Sequence, residues 1–224
     1  MKLLKYIVSI SLIFILSACV SNSTPTTTPK PKEIDNNRSK DSYAYLGELT
    51  PAQEVVKNEL IAYLNDLENF NIDSIVNKTY PQLFNVINKQ HFRQYISTMM
   101  NSKDIVVQEY DTNITKIGEV KALSNGIEFC QVDYDSNAKI LLLNGNIYNT
   151  ETSMNYLYDI LIHKYGRKNV SFNIKKRTIE IKRGEKMILI KERDKPWKFI
   201  GDNLKYRQIY YSVLPPEILN NLDK

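Results

Sequence analysis

The chain is poor in the residues that build compact chemistry. It has two cysteines, two histidines, one tryptophan and seven glycines in 224 residues. Two cysteines do not make a disulfide scaffold or a four-ligand zinc site. The glycines fall into neither a GxGxxG nor a GxxxxGK[ST] arrangement, which argues against a phosphate cradle of the nucleotide-binding kind. No apolar run reaches the roughly 18 residues of a spanning helix, so a multi-pass membrane protein is excluded. No HExxH, no His-x-Glu and no carboxylate pair on one helical face appears, so no metal and no cofactor is expected. What is present is ordinary globular composition, 42% hydrophobic and 25% charged, with a net charge of 30 − 25 = +5.

The N-terminus reads as an address. Lys2 and Lys5 make a positive start, and Tyr6–Leu16 is an apolar stretch of 11 residues broken only by Ser9 and Ser11. That is short for a membrane span and suits a secretory signal. It ends Leu16-Ser17-Ala18-Cys19. This tripartite pattern resembles the bacterial lipoprotein signal, whose lipobox reads Leu, a small residue, Ala or Gly, then Cys. The resemblance implies cleavage before Cys19, diacylation of its thiol with palmitate-like chains and acylation of its new amine. Several acyl chains anchor stably where one is marginal. Residue 20 is Val, not Asp. By analogy with enterobacterial sorting this points to the outer membrane, facing the periplasm, with a Gram-positive plasma membrane as the alternative. A signal peptide with a chance cysteine is the plainer reading of the same residues. After cleavage the chain has 28 − 25 = +3, and Cys130 is its one unmodified thiol. It sits in the apolar run Ile127–Val132, where a buried, inert thiol is expected.

The reading divides the chain into a signal peptide, 1–18; a disordered Ser/Thr/Pro tether, 19–49, centred on Thr24–Pro31; and a single domain, 50–224. Thr50-Pro51-Ala52-Gln53 spells a helix start, with a cap, a first-position proline and a reciprocal glutamine. Val56, Leu60, Tyr63, Leu64 and Leu67 follow at helical spacing. Short helical pieces are expected at Ile72–Lys78 and from Pro81 to Phe84. A further helix runs from an Asn88 cap to about Met100, with Phe92, Tyr95, Ile96 and Met99 on one face. Strands are expected at 105–107, 114–117, 120–123, 127–134 and 138–143, with turns at Ser124–Gly126 and Asn144–Asn146. One helix interrupts them. It is capped by Thr150, apolar at Met154, Leu157, Tyr158, Leu161 and Tyr165, and ended by Lys164 and Gly166. Strands resume at 170–174, 178–182, 187–191 and 196–200, with Arg183-Gly184-Glu185 read as a turn. Short helices at 206–214 and 217–222 close the chain.

Helices first, then an antiparallel sheet with one helix inserted between strands, is α+β grammar. The stretches Ile179–Gly201 and Leu214-Pro-Pro-Glu-Ile-Leu219, with Ile114–Tyr134 before them, resemble uncharacterised secreted bacterial proteins of the nuclear transport factor 2-like (cystatin-like) cone type. The resemblance implies helices lying across a curled sheet and enclosing a conical pocket.

Chemistry is sparse. His91 and Asp133 are the weak catalytic candidates. His91 sits at helical spacing between Ile87 and Tyr95, and Asp133 lies between Val132 and Tyr134 on a strand. The plainer readings are a helix-surface histidine and a strand carboxylate facing water. His163, near a helix end, reads as solvated. Trp197 reads as core, and the fifteen tyrosines read as core-edge packing or a binding surface. Charge is segregated: Lys164–Arg193 holds 11 basic and 3 acidic residues, a local +8, against 1 basic and 7 acidic over Asp41–Ile75, a local −6. Lys175, Lys176, Arg177, Lys182 and Arg183 form a candidate face for anionic lipid or polymer, with solvated strand faces as the plainer alternative.

Together these features lead to a lipid-anchored envelope protein with a non-enzymatic binding domain. Its partners would be the membrane through Cys19, and an envelope protein, a small apolar ligand or an anionic polymer. No nucleic acid is expected. The alternatives are a cone-fold enzyme of hydratase, isomerase or hydrolase type, and a basic docking face.

Overall fold

The computed structural model describes residues 46–100, 104–143, 148, 150–203 and 207–222. The expected signal peptide, Cys19, the tether as far as residue 45 and the break at Asn144–Asn146 lie outside the described residues.

Helix α1 spans Pro51–Glu68 and starts as its sequence dictates. The Thr50 side chain accepts from the Gln53 N–H, and the Gln53 side chain accepts from the Thr50 N–H. The Gln53 amide also donates to the carbonyls of Ile117 and Gly118, at 3.2 and 3.0 Å, so the cap is fastened to the sheet. Val56, Leu60, Tyr63, Leu64 and Leu67 are all buried. Helix α2, Ile72–Lys78, is tied back to α1 through Asp66, which accepts from Lys78 Nζ at 2.7 Å and Ser74 Oγ at 2.6 Å. A 3₁₀ turn follows at Pro81–Asn85. Helix α3, Lys89–Met100, is capped by Asn88, whose Oδ1 accepts from the His91 N–H at 2.9 Å. Phe92 and Ile96 are buried there. The Met99 side chain lies outside the described residues.

The sheet is antiparallel and open. Strands β1 (Ile105–Ile117), β3 (Ile127–Leu142), β5 (Thr178–Glu192) and β4 (Val170–Asn173) lie in the order β1-β3-β5-β4. Strand β2 (Lys121–Ala122) pairs with β3, and β6 (Lys198–Gly201) with β5. The α+β class and the inserted helix, α4 at Glu151–Tyr165, agree with the sequence reading. The strand inventory does not. The stretches expected as separate strands at 105–107 and 114–117 are one strand, and so are 127–134 and 138–143. Two register shifts, between Val107 and Glu109 and between Ile114 and Lys116, explain β1. Each bulge inserts one residue and flips the side-chain parity, so the buried residues are Ile105, Tyr110, Ile114 and Ile117 rather than every second one.

The turn expected at Arg183-Gly184-Glu185 is also absent. Pairing runs on through Ser136↔Arg183, Asp135↔Gly184 and Tyr134↔Glu185. The genuine turn glycine is Gly126, at φ 81°. Gly166 ends α4 at φ 87° and ψ 142°, a positive φ with extended ψ.

The helices cover the sheet face that carries Cys130, Val132, Tyr134, Ser136, Ala138 and Ile140, all buried. Tyr63 of α1 stacks on Phe199 of β6 with centroids 4.2 Å apart. Met154, Leu157 and Leu161 of α4 close the other end. Cys130 is fully buried, its Sγ 3.3 Å from the Gly118 carbonyl. Trp197 is core, as expected.

The opposite sheet face is open in its middle and covered at one end by the C-terminal segment, α5 (Arg207–Tyr210) and α6 (Pro216–Asn220). The pin is Asp202, whose side chain is fully enclosed. It accepts from Arg207 Nε at 2.9 Å, Arg207 Nη2 at 2.6 Å and Gln131 Nε2 at 2.6 Å. Tyr210 adds a hydroxyl that donates to the Gly201 carbonyl.

Two predictions follow from these packing features. Asp202→Ala leaves Arg207 and Gln131 facing an emptied acceptor, and is expected to cost ~3 kcal/mol, the low end for a buried pair because Arg207 keeps some solvent. Urea unfolding checks it. Burial raises the Cys130 thiol from 9.0 to about 12, and the Tyr80 and Tyr165 phenols from 10.0 to about 12. The unfolded chain therefore releases these protons at lower pH than the folded one. Stability is intact below about pH 9 and falls as pH rises through 12. Unfolding midpoints across that range should decline, and the earliest part of the decline should vanish in Cys130→Ala.

Candidate functional site

Midway along the covered face, the apolar packing is interrupted by a polar row. It is built by the β3–β5 ladder. Residues opposite one another in register share a face, so Ser136 brings Arg183 inward and Tyr134 brings Glu185 inward. Arg183 and Glu185 are two apart on one strand and meet, Nη2 to Oε1 at 2.8 Å, with side chains only 16% and 15% exposed. The same parity of β5 carries Ile179, Ile181, Met187 and Leu189, all buried. The charged pair thus sits between two apolar stretches.

Tyrosines surround it. The ring of Tyr165, the last residue of α4, lies with its centroid 5.3 Å from the Arg183 guanidinium and 5.0 Å from Lys164 Nζ. Tyr110, from β1, is 5% exposed. The hydroxyls of both Tyr110 and Tyr165 are buried without a hydrogen-bond partner. Ser136 lies beside the first and Arg183 beside the second, near enough to favour a phenolate, yet neither contact has the geometry of a full hydrogen bond. Burial dominates, and raises both phenols above the ordinary tyrosine value, Tyr165 to about 12; Arg183 opposes the rise and Glu185 adds to it. Both stay protonated, and so remain donors, at any physiological pH. At the rim Glu68, from the end of α1, accepts from the N–H and Oγ1 of Thr112 at 2.8 and 2.7 Å.

The residues singled out in the sequence are placed elsewhere or differently. His91 is exposed in the first turn of α3, where its backbone N–H serves the Asn88 cap. Asp133 projects from the other sheet face, 30% exposed and 3.8 Å from Lys186 Nζ. The structure does not bring the two together. His163 is exposed. The basic stretch divides. Lys175, Lys176 and Lys182 are exposed, whereas Arg183 points into the core. Arg177, at φ 53°, spends its guanidinium on the carbonyls of Leu142, Leu143 and Tyr148. It fastens the end of β3 to the approach to α4.

Sequence reasoning missed Tyr110, Glu185 and the inward direction of Arg183. The signal was present: Ile179, Ile181, Arg183, Glu185, Met187 and Leu189 keep one parity, with apolar residues on both sides of the charges. Reading Gly184 as a turn hid it. Among the described residues no group of three or more potential metal ligands occurs. A surface hollow of about 430 Å³ lies at two turn tips, lined by Asn125, Ile127 and Glu192 to Lys195. It is far along the ladder from the polar row, and its donors Arg193 and Lys195 are exposed, Lys195 being paired with Glu192 at 2.9 Å.

No protein-family model, no curated protein and no solved structure matches the chain, so its function rests on the geometry of this site.

Proposed function

We propose that the chain is a lipid-anchored protein of the bacterial envelope, held in the membrane through Cys19, with a cone-like domain of nuclear transport factor 2-like type that binds a ligand at its covered sheet face and does not transform it. The observation that carries this reading is the inward Arg183–Glu185 pair beneath two buried phenol hydroxyls that have no partner. Buried polar groups are ordinarily satisfied, and each exception calls for a reason. A charged pair in a core is also a poor device for stability, because desolvation offsets its Coulomb attraction.

Binding suits the row better than catalysis does. Its phenols hold their protons tightly, Glu185 is engaged with Arg183, and Glu68 is engaged with Thr112. The row therefore offers donors, whereas proton abstraction needs a base poised near the working pH. A tether of the composition of 19–49 would hold the domain on the order of 30 Å from the lipid.

Two outcomes are expected. In a lipoprotein-competent host, the chain takes up a palmitate analogue and Cys19→Ala does not; an unlabelled wild type would defeat the anchoring. The double variant Arg183→Met/Glu185→Leu should melt within a few degrees of the wild type or above it, as buried pairs replaced by apolar residues commonly do. A fall of more than about 8 °C, about 2–4 kcal/mol for a domain of this size, would make the pair a structural element and remove the basis of the binding reading.

A further inference from the structure

The polar row also has a chemical preference. The row carries three donor side chains, Arg183, Tyr110 and Tyr165. The guanidinium has five N–H groups, and among the described residues its ion pair is with Glu185. The Tyr110 and Tyr165 hydroxyls are buried and unpartnered, and both lie within electrostatic reach of Arg183 and Glu185. What such a set lacks is an acceptor with several lone pairs, and a carboxylate supplies about four such positions. Around the donors the walls are apolar: Ile181 and Met187 on β5, Ile114 on β1 and Leu161 on α4 are all buried. The region is not sealed, since Arg183 and Glu185 each keep about one sixth of their side-chain surface in contact with solvent, at 16% and 15%. Strand β4 pairs with β5 up to Ile181 and β6 only from Met187 onward. Between them, among the described residues, the outer edge of β5 carries no strand.

We infer that Arg183, Tyr110 and Tyr165 form a receiving site for an organic monocarboxylate, an apolar molecule ending in a single carboxyl group. The inference rests on the binding reading above and names its ligand class. A cation is disfavoured because the Tyr165 face already has Lys164 and Arg183 near it. A dianion such as a phosphate ester would bring two negative charges to Glu185 and Glu68 against one inward guanidinium, since Lys164 is exposed to solvent. A monocarboxylate is held by the guanidinium and the phenols, and for the guanidinium it competes with the internal carboxylate of Glu185. Glu185 accordingly has a tuning role: it keeps the guanidinium ordered and weakens the hold on an incoming acid.

The test uses the full chain in a non-ionic detergent, titrated calorimetrically with phenylbutyrate and, separately, with phenylbutanol, its neutral counterpart of similar size. Phenylbutyrate should bind about tenfold more tightly or better, the worth of a charge-assisted hydrogen bond. Arg183→Gln should erase that preference. Tyr110→Phe and Tyr165→Phe, which keep the ring and the fold, should each weaken the acid about threefold or more and leave the alcohol unchanged. Glu185→Gln should tighten the acid severalfold, an effect that a merely structural role would not produce. Melting curves confirm that each variant is folded, and the two Phe variants carry the test if Arg183→Gln is not. Equal affinity for acid and alcohol overturns the carboxylate assignment and leaves the binding reading standing. No binding of either compound up to millimolar concentration overturns both.

Discussion

The structure depends on the antiparallel ladder between β3 and β5, which runs unbroken from Ile127↔Glu192 to Leu141↔Thr178. Side chains in such a ladder alternate with period two, and a slip of one residue would exchange the faces of a whole strand. Cys130, Val132, Tyr134, Ser136, Ala138 and Ile140 must therefore all face the helices, and their partners on β5 must face them too. That constraint places an arginine and a glutamate in the interior. No local preference of Arg183 or Glu185 would put them there. The apolar residues on both sides hold the register, and the charged pair is carried inward with them.

The helical half was readable from its residues because its signals are local. A Thr-Pro-x-Gln start, an Asn cap and apolar residues at spacings of three and four each specify a helix within one or two turns. The sheet was readable only in outline. In β1 the bulges near Gln108 and Thr115 shift the parity twice, so a continuous strand of 13 residues shows no continuous alternation. On β5, Gly184 between two charges imitates a turn, although it lies in extended pairing opposite Asp135. Arg177 and Arg183 looked like members of an exposed basic face because charge alone does not report direction. Their partners, the carbonyls of Leu142 and Leu143 for one and Glu185 for the other, come from pairing and loop geometry that composition does not encode.

Asp202 and the Arg183–Glu185 pair are charged groupings of different character. At Asp202 both carboxylate oxygens are engaged by Arg207, and Gln131 adds a third donor, so the group is satisfied and joins three parts of the chain. At Arg183 and Glu185 the pair is matched, but the phenols above it are not. Satisfied polar networks rigidify a fold, and incomplete ones are where a sequence has kept something other than stability. The contrast separates a structural clasp from the proposed site.

The Asp202 clasp also bears on the order in which the fold is completed as the chain leaves the ribosome. Ile188 shares its sheet face with Gln131, and through Gln131 and Asp202 that face is joined to α5. Every strand of the sheet has emerged by Gly201, yet Tyr210, Val213, Leu214 and Ile218, which are buried in the finished core, come later. A nascent domain paused before Arg207 would have a paired sheet with an uncovered apolar end. Cover arrives only with the segment from Tyr210 to Ile218, so a chaperone has a defined surface to hold until that segment has emerged.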